Sequence, residues 1–315
     1  MRRLVQAGIV FAALLHAQDG LAIHVDVKLV NVAFTARDAN GRLVADLSRD
    51  DIEVLDDGAP QPISFFAHSA DLPLALGLIA DASGSQESFL KRHHRDLDTF
   101  LKNTLTLRDQ AFLVCFGNHV RLVSDFSSKR ELLMERLKDF DKDQHMGPYL
   151  ELGPVERRIL GTAFYDALYY AITDKLDRAG NVGVGRRALI VFSDGEDNSS
   201  AHHMLDATEA AQSADAAIYG IRYTDIDKRG MNGRNKYGIS VMNRMARDTG
   251  GRDFDAQKTD MKQAFAEIEQ ELRSSYELAY HTPNADGTFH KLVVRARRPG
   301  ILIRAKAGYF ARDGS

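Results

Sequence analysis

Residues 72–85, LPLALGLIADASGS, join an apolar run to a short segment that contains one carboxylate and two hydroxyls. Residues 72–80 show no alternation of polar and apolar side chains, which predicts a strand buried on both faces of a sheet. Asp81, Ser83 and Ser85 follow at its carboxyl end, where open α/β sheets bind ligands. Three hard oxygen donors on a tight turn favour Mg²⁺, Mn²⁺ or Ca²⁺ over softer metals. Alternatively, these residues only cap the helix that follows.

Two later segments contribute further oxygen donors. Thr162 follows Gly161 at the start of a predicted helix over 162–176, and Asp194 follows a predicted buried strand over 188–192. Because the carboxyl ends of parallel strands meet at one edge of a sheet, we expect Asp81 and Asp194 to reach one cation. Taken singly, Thr162 could be another helix cap and Asp194 a turn residue.

The order of the predicted elements indicates the fold class. Residues 70–274 alternate helices and strands, which predicts an α/β domain with a doubly wound, mainly parallel, Rossmann-like sheet. Residues 24–68 and 275–311 have strand-like alternation and turn signals such as Asp57-Gly58. Neither flank has enough strands to bury a core alone, so we expect them to pack together as a sandwich-like module around the inserted domain. The alternative is two independent β segments.

Composition and the N-terminus limit the classes of function. The 315 residues are 44% hydrophobic and 27% charged with a net charge of -3, which gives no electrostatic reason to expect nucleic acid or an anionic membrane as partner. Cys115, the only cysteine, lies in an apolar run, and no intrachain disulfide is possible. Residues 1–18 combine two arginines, an apolar stretch and a cleavage-like site, which predicts a signal peptide and a periplasmic or extracellular location. The alternative is a frayed apolar N-terminus. No later segment is predicted to span a membrane, and the sequence does not determine the oligomeric state.

These residues together resemble a von Willebrand factor type A (VWA) domain with a metal-ion-dependent adhesion site, over about 200 residues from 72 to 274. Asp81, Ser83 and Ser85 match the family's Asp-x-Ser-x-Ser motif, while Thr162 and Asp194 match its threonine and second aspartate. The flanking segments 46–54 and 306–309 also resemble a secreted bacterial subgroup. The resemblance implies that Ser83, Ser85 and sometimes Thr162 ligate one divalent cation directly, Mg²⁺ foremost, while Asp81 and Asp194 act largely through water.

The resemblance also implies a protein partner that offers an Asp or Glu side chain. Neutral hydroxyl ligands leave much of the cation's charge uncompensated, so an outside carboxylate can complete its shell. We therefore expect a metal-dependent binding module rather than an enzyme.

Two other functions stay open from the sequence. A Mg²⁺-dependent hydrolase with Asp81 as nucleophile would need a positioned acid or base, which Ser83 cannot supply. The pairs His93-His94 and His202-His203 are neighbours that point about 100° apart on a helix, so neither pair forms a two-histidine metal face. A structural domain whose metal site stays empty is the other alternative.

Long irregular segments are expected around the site, at 141–160 and 225–239. The second follows a strand that ends at Tyr223, and it contains four cationic residues: Lys228, Arg229, Arg234 and Lys236. Such a basic rim would favour an acidic ligand. The alternative is a solvated loop without a role in binding.

Overall fold

The computed structural model describes residues 28–143, 147–153, 161–178, 185–224, 230–282 and 286–311. The predicted signal peptide at 1–18 lies outside these residues, as do Lys228 and Arg229. Within the described parts of the chain, no helix is both long and apolar enough to cross a membrane.

Fifteen strands and six α-helices are present in the described residues. The strands are β1 (Lys28–Arg37), β2 (Ile52–Asp56), β3 (Ala59–Gln61), β4 (Ile63–Ser69), β5 (Leu74–Asp81), β6 (Gln110–Phe116), β7 (Val120–Ser127), β8 (Leu150–Glu151), β9 (Arg186–Ser193), β10 (Ala216–Arg222), β11 (Asp253–Asp255), β12 (Ser275–Thr282), β13 (Phe289–Ala296), β14 (Leu302–Ala305) and β15 (Gly308–Phe310). The helices are α1 (Leu90–Thr104), α2 (Arg130–Lys142), α3 (Phe164–Tyr170), α4 (Met204–Ser213), α5 (Gly233–Asp248) and α6 (Met261–Arg273).

The central sheet has seven strands in the order β11-β10-β9-β5-β6-β7-β8. Strands β11, β10, β9, β5 and β6 are parallel, whereas β7 and β8 complete one edge in antiparallel pairing. Every residue of β5 is buried. The predicted α/β class with a mainly parallel sheet is therefore confirmed.

Side chains of β5 enter two apolar cores on opposite faces of the sheet. Leu76 and Leu78 pack in the core that also holds Phe100 of α1 and Phe265 of α6, whose rings are 5.4 Å apart. Ile79 belongs to the other core, which α3, α4 and α5 cover. Burial on both faces explains why this strand has no polar alternation.

Two antiparallel sheets flank the central one, and each combines strands from both ends of the chain. Their orders are β14-β1-β12-β4 and β15-β13-β2-β3. β1 pairs with β12 from Lys28 opposite Thr282 to Phe34 opposite Tyr276, and these last two rings stack at 4.9 Å. A third apolar core, which includes Phe34 and Tyr276, lies between these sheets.

The segment 225–239 differs from the sequence prediction. It is not irregular throughout, because α5 begins at Gly233. The Asn232 side chain accepts from the Asn235 backbone N–H at 2.9 Å, and the Asn235 side chain accepts from the Asn232 N–H at 3.1 Å. This reciprocal cap offsets the low helix propensity of the glycines in the first turns. Consequently Arg234 and Lys236 lie on a helix rather than on a loop.

Candidate functional site

Asp81 ends β5 and is fully buried. Its Oδ1 accepts from the Ser83 backbone N–H at 3.0 Å, and its Oδ2 accepts from the Ser193 hydroxyl at 2.6 Å. Burial and the neighbouring Asp194 carboxylate raise the pKa of Asp81 to about 7. The carboxylate is thus held in place from both sides, and its ionised form needs a nearby positive charge.

The serines of the loop after β5 connect it to the loop after β9. Ser83 Oγ lies 3.1 Å from Ser85 Oγ, and Ser85 Oγ donates to Asp194 Oδ2 at 3.5 Å. Since β5 and β9 are adjacent parallel strands, their carboxyl ends place these groups on one edge of the sheet. The predicted donors Asp81, Ser83, Ser85 and Asp194 are therefore brought together.

Asp194 is held by groups that the sequence analysis did not identify. Its Oδ1 accepts from the Glu196 backbone N–H at 3.0 Å, and its Oδ2 accepts from Gln86 Nε2 at 2.7 Å. Gln86 is completely buried and also donates to the Tyr223 carbonyl at 3.2 Å. Burial raises the pKa of Asp194. The only sequence signal for Gln86 was its place directly after Ser85.

Thr162 lies on the loop before α3, beside the loop after β9. Its backbone N–H donates to Asn198 Oδ1 at 2.7 Å, while the N–H of Ala163 donates to the Gly117 carbonyl at 2.7 Å. The side chain of Thr162 is largely buried. Its neighbour Gly161 lines the same cavity of about 210 Å³ as Ser83, so the third predicted segment approaches the other two.

Gly161 is a position where glycine is required. Its φ is +136°, and a Cβ there would lie 2.6 Å from the Cβ of Ser199. Any side chain would therefore displace the segment that contains Thr162.

The donors of this serine–aspartate site (Asp81, Ser83, Ser85, Thr162 and Asp194) fit a hard divalent cation. All the donor atoms are oxygens, from hydroxyls and carboxylates, which is the ligand set of Mg²⁺, Mn²⁺ and Ca²⁺. Asp81 and Asp194 repel each other in a buried setting, and a cation between the two loops would relieve that repulsion.

Of the four residues of the predicted basic rim, Arg234 and Lys236 lie within the described part of the chain. Arg234 Nη2 lies 3.0 Å from Glu196 Oε2, so a carboxylate that follows the site already balances this charge. Lys236 is exposed on α5. His119, in the connection between β6 and β7, and Arg121 of β7 line the cavity beside Ser83. No motif in the sequence indicates a role for either residue.

The paired histidines do not form a common site. The His93 ring is buried 4.4 Å from the ring of Tyr223, whereas His94 Nε2 lies 3.0 Å from Asp141 Oδ2. His202 Nδ1 lies 2.8 Å from the buried carboxylate of Asp166, while His203 is at the N-terminus of α4.

A second group that could hold a metal ion lies in the antiparallel sheets. Ligand atoms of Asp56, Asp57 and His290 are within 4.8 Å of one another. In the sequence, Asp57-Gly58 is a turn signal and gives no indication of a metal site. The sequence could not place His290 beside that turn, because the pairing of β2 with β13 joins residues more than 230 positions apart.

Comparison with known proteins gives distant structural similarities. No family model matches the sequence, and no curated protein matches it. Among solved structures, the chain is similar to the conserved hypothetical protein BatB from Bacteroides thetaiotaomicron, at 17% identity and a TM-score of 0.44 over 63% of this chain and 98% of that one. It is also similar to an aerotolerance-related membrane protein from Bacteroides fragilis, at 16% identity and a TM-score of 0.45 over 63% and 98%. A third similarity is to the manganese-loaded TRAP protein from Plasmodium vivax, at 15% identity and a TM-score of 0.43 over 77% and 96%. All three TM-scores are below 0.5, so the function is inferred from this chain's own residues.

Proposed function

We propose that this protein is an exported, metal-dependent protein-binding module of the VWA type, which captures an Asp or Glu side chain of a partner at a divalent cation. The observation that supports the proposal is the contact between the loops after β5 and β9. There the hydroxyls of Ser83 and Ser85 are 3.1 Å apart, and Ser85 reaches Asp194. Mg²⁺ is the proposed ion, ahead of Mn²⁺ and Ca²⁺.

We propose two roles for the residues of the serine–aspartate site, direct ligands of the ion and residues that orient its bound waters. Ser83, Ser85 and Thr162 would ligate it through neutral hydroxyls, while Asp81 and Asp194 would orient its waters. The bound ion would supply uncompensated positive charge at the surface. A carboxylate is the natural partner, because it is a hard anion and its attraction to the cation strengthens where water is excluded.

The environment of Asp81 favours binding over catalysis. A nucleophilic carboxylate must reach its substrate, but Asp81 is fully buried and both of its oxygens accept hydrogen bonds. These contacts suit a residue that positions a ligand shell. We therefore propose a module without hydrolase activity. Its proposed export rests on the sequence of residues 1–18.

Calorimetry of the mature chain tests the metal site directly. After treatment with chelator, wild type should bind one Mg²⁺, and Ser85→Ala and Asp194→Ala should each weaken that binding at least tenfold. Glu87→Gln is the matched control, because Glu87 is an exposed carboxylate two residues from Ser85. Unchanged Mg²⁺ affinity in both site variants would refute the proposed ligand set.

A displayed peptide library tests the carboxylate partner. Peptides selected in Mg²⁺ should contain an essential Asp or Glu, release in chelator, and lose binding when that acid is replaced by its amide. Peptides that bind equally well in chelator and after the amide replacement would place the binding surface elsewhere on the protein.

A further inference from the structure

The carboxylate of Asp56 is buried with one oxygen left without a partner. Asp56 ends β2, and its side chain is 2% exposed. Oδ2 accepts from the hydroxyls of Tyr309 at 2.7 Å and Tyr280 at 3.0 Å. Oδ1 has no hydrogen-bond partner among the described residues, and it faces His290 Nδ1 at 3.8 Å. A buried carboxylate oxygen without a hydrogen-bond partner lowers the stability of the fold unless a positively charged group interacts with it.

The ring of His290 is oriented as a metal ligand would be. Nε2 lies 3.1 Å from Asp286 Oδ1, and the ring stacks on Tyr309 at a centroid distance of 5.4 Å. When Nε2–H donates to Asp286, Nδ1 is the nitrogen left for a metal. It lies 2.8 Å from Asp57 Oδ2, a hydrogen-bond distance, so in the metal-free protein Nδ1–H donates to Asp57, and a metal ion would replace that proton. Histidines that bind metals commonly donate their other N–H to a carboxylate, which fixes the tautomer in this way.

The charges around His290 are mainly negative. Asp56, Asp57 and Asp286 all place carboxylate oxygens within 3.8 Å of its ring nitrogens. A singly charged imidazolium could balance only one of these three carboxylates. A divalent ion balances two, and it satisfies the bare oxygen of Asp56 at the same time.

The distances also suit a small tetrahedral ion. From His290 Nδ1, the oxygens of Asp57 and Asp56 are 2.8 and 3.8 Å away. Tetrahedral Zn²⁺ with bonds of about 2.0 Å separates its ligand atoms by about 3.3 Å, between these two values. The side chain of Asp57 is 54% exposed, which leaves a route for the ion and room for water as the fourth ligand.

We propose that Asp56, Asp57 and His290 bind a Zn²⁺ ion that joins β2 to β13, with Asp286 as the residue that positions His290. This His290 cluster is separate from the serine–aspartate site, and its mixed nitrogen and carboxylate donors select a different metal. Because β2 precedes the central sheet and β13 follows it, the ion would link the two ends of the chain.

Calorimetric titration of the chelator-treated full chain with Zn²⁺ tests this site. Wild type and Asp81→Asn should bind Zn²⁺ equally well at the His290 cluster, so failure of the other proposed site would leave this result unchanged. Asp57→Asn should abolish the binding, and Asn also tolerates the positive φ of 49° found at this position. Asp286→Asn should weaken it 10- to 100-fold, as expected for a group that orients a ligand. Asp50→Asn, an exposed carboxylate elsewhere in the N-terminal flank, is the control.

Nitrogen NMR of the His290 ring distinguishes Zn²⁺ bound at Nδ1 from a proton at Nδ1. Zn²⁺ should shift the Nδ1 resonance while Nε2 keeps its proton. A ring that stays doubly protonated when Zn²⁺ is added, or Zn²⁺ binding that survives in Asp57→Asn, would overturn the proposal and leave a histidine–carboxylate ion pair.

Discussion

Gln86 connects the serine–aspartate site to the interior of the central domain. Its amide donates both to Asp194 and to the Tyr223 carbonyl, so one side chain fixes the loop after β9 and the end of β10. Its own Oε1 has no partner among the described residues. Gln86 is therefore a positioning residue for Asp194. Its contribution to stability should depend on whether a cation is bound beside that carboxylate.

Gln86→Leu should lower the free energy of unfolding of the metal-free protein by about 2 kcal/mol, because it removes a hydrogen bond to a buried carboxylate. Saturating Mg²⁺ should reduce this loss, since the ion then stabilises Asp194. Denaturant titration with and without Mg²⁺ measures both values, with Glu87→Gln as control. An equal loss in the two conditions would contradict a role for Gln86 at the metal site.

Sequence could identify residues that follow a buried strand, but not those that meet from distant elements. Asp81 and Asp194 were candidates because each ends an apolar run, and such runs are a local pattern. His290 and Asp57 could not be paired in advance, since nothing local indicates the pairing of β13 with β2. Their contact depends on the pairing of two strands that are far apart in the chain, and such pairing is difficult to predict from a single sequence.

At the scale of elements, the start of α5 illustrates a second limit. Gly233 and Gly238 have low helix propensity, so the sequence gives no clear signal for the first turns of this helix. The reciprocal cap between Asn232 and Asn235 stabilises its start. The strands of the central sheet were easier to predict, because burial on both faces leaves a continuous apolar run.

Asn232→Ala should lower the free energy of unfolding by about 1 kcal/mol through loss of this cap. Asn243→Ala, in the exposed middle of the same helix, should be neutral or slightly stabilising because alanine has the higher helix propensity. Chemical denaturation of the three proteins measures the difference. Equal stabilities for both variants would show that the cap contributes nothing.

At the scale of the whole molecule, the chain enters and leaves the central domain at one point. The N–H of Leu72, two residues before β5, donates to the carbonyl of Arg273, the last residue of α6, at 3.2 Å. We propose that residues 24–68 and 275–311 form one module around the domain at 70–274. The pairing of β1 with β12 and of β2 with β13 supports this division.

Asp109 and Arg273 stabilise that junction through a buried ion pair. Arg273 Nη2 lies 2.6 Å from Asp109 Oδ2, and the same guanidinium donates to the carbonyls of Leu72 and Thr104. Asp109 also accepts from the Leu74 N–H at 2.9 Å. Burial alone would raise the pKa of Asp109, but the hydrogen bonds from Arg273 and Thr106 outweigh it and lower the pKa.

Asp109→Asn should lower the free energy of unfolding by about 3 kcal/mol at pH 7, because it removes the buried counter-ion of Arg273 and leaves only the partly exposed Glu269, 3.5 Å from Arg273 Nε. The pKa of Asp109 is lowered on folding, so its contribution is complete above the unfolded value of about 4 and is lost as the pH falls through the folded value. The difference in free energy of unfolding between wild type and Asp109→Asn should therefore become smaller below pH 4. Asp98→Asn, which removes a partly exposed pair with Arg130, should cost less than about 1 kcal/mol at any pH. Urea denaturation between pH 3 and 7 provides the measurement, and a difference that stays constant over this range would show that the ion pair does not stabilise the junction.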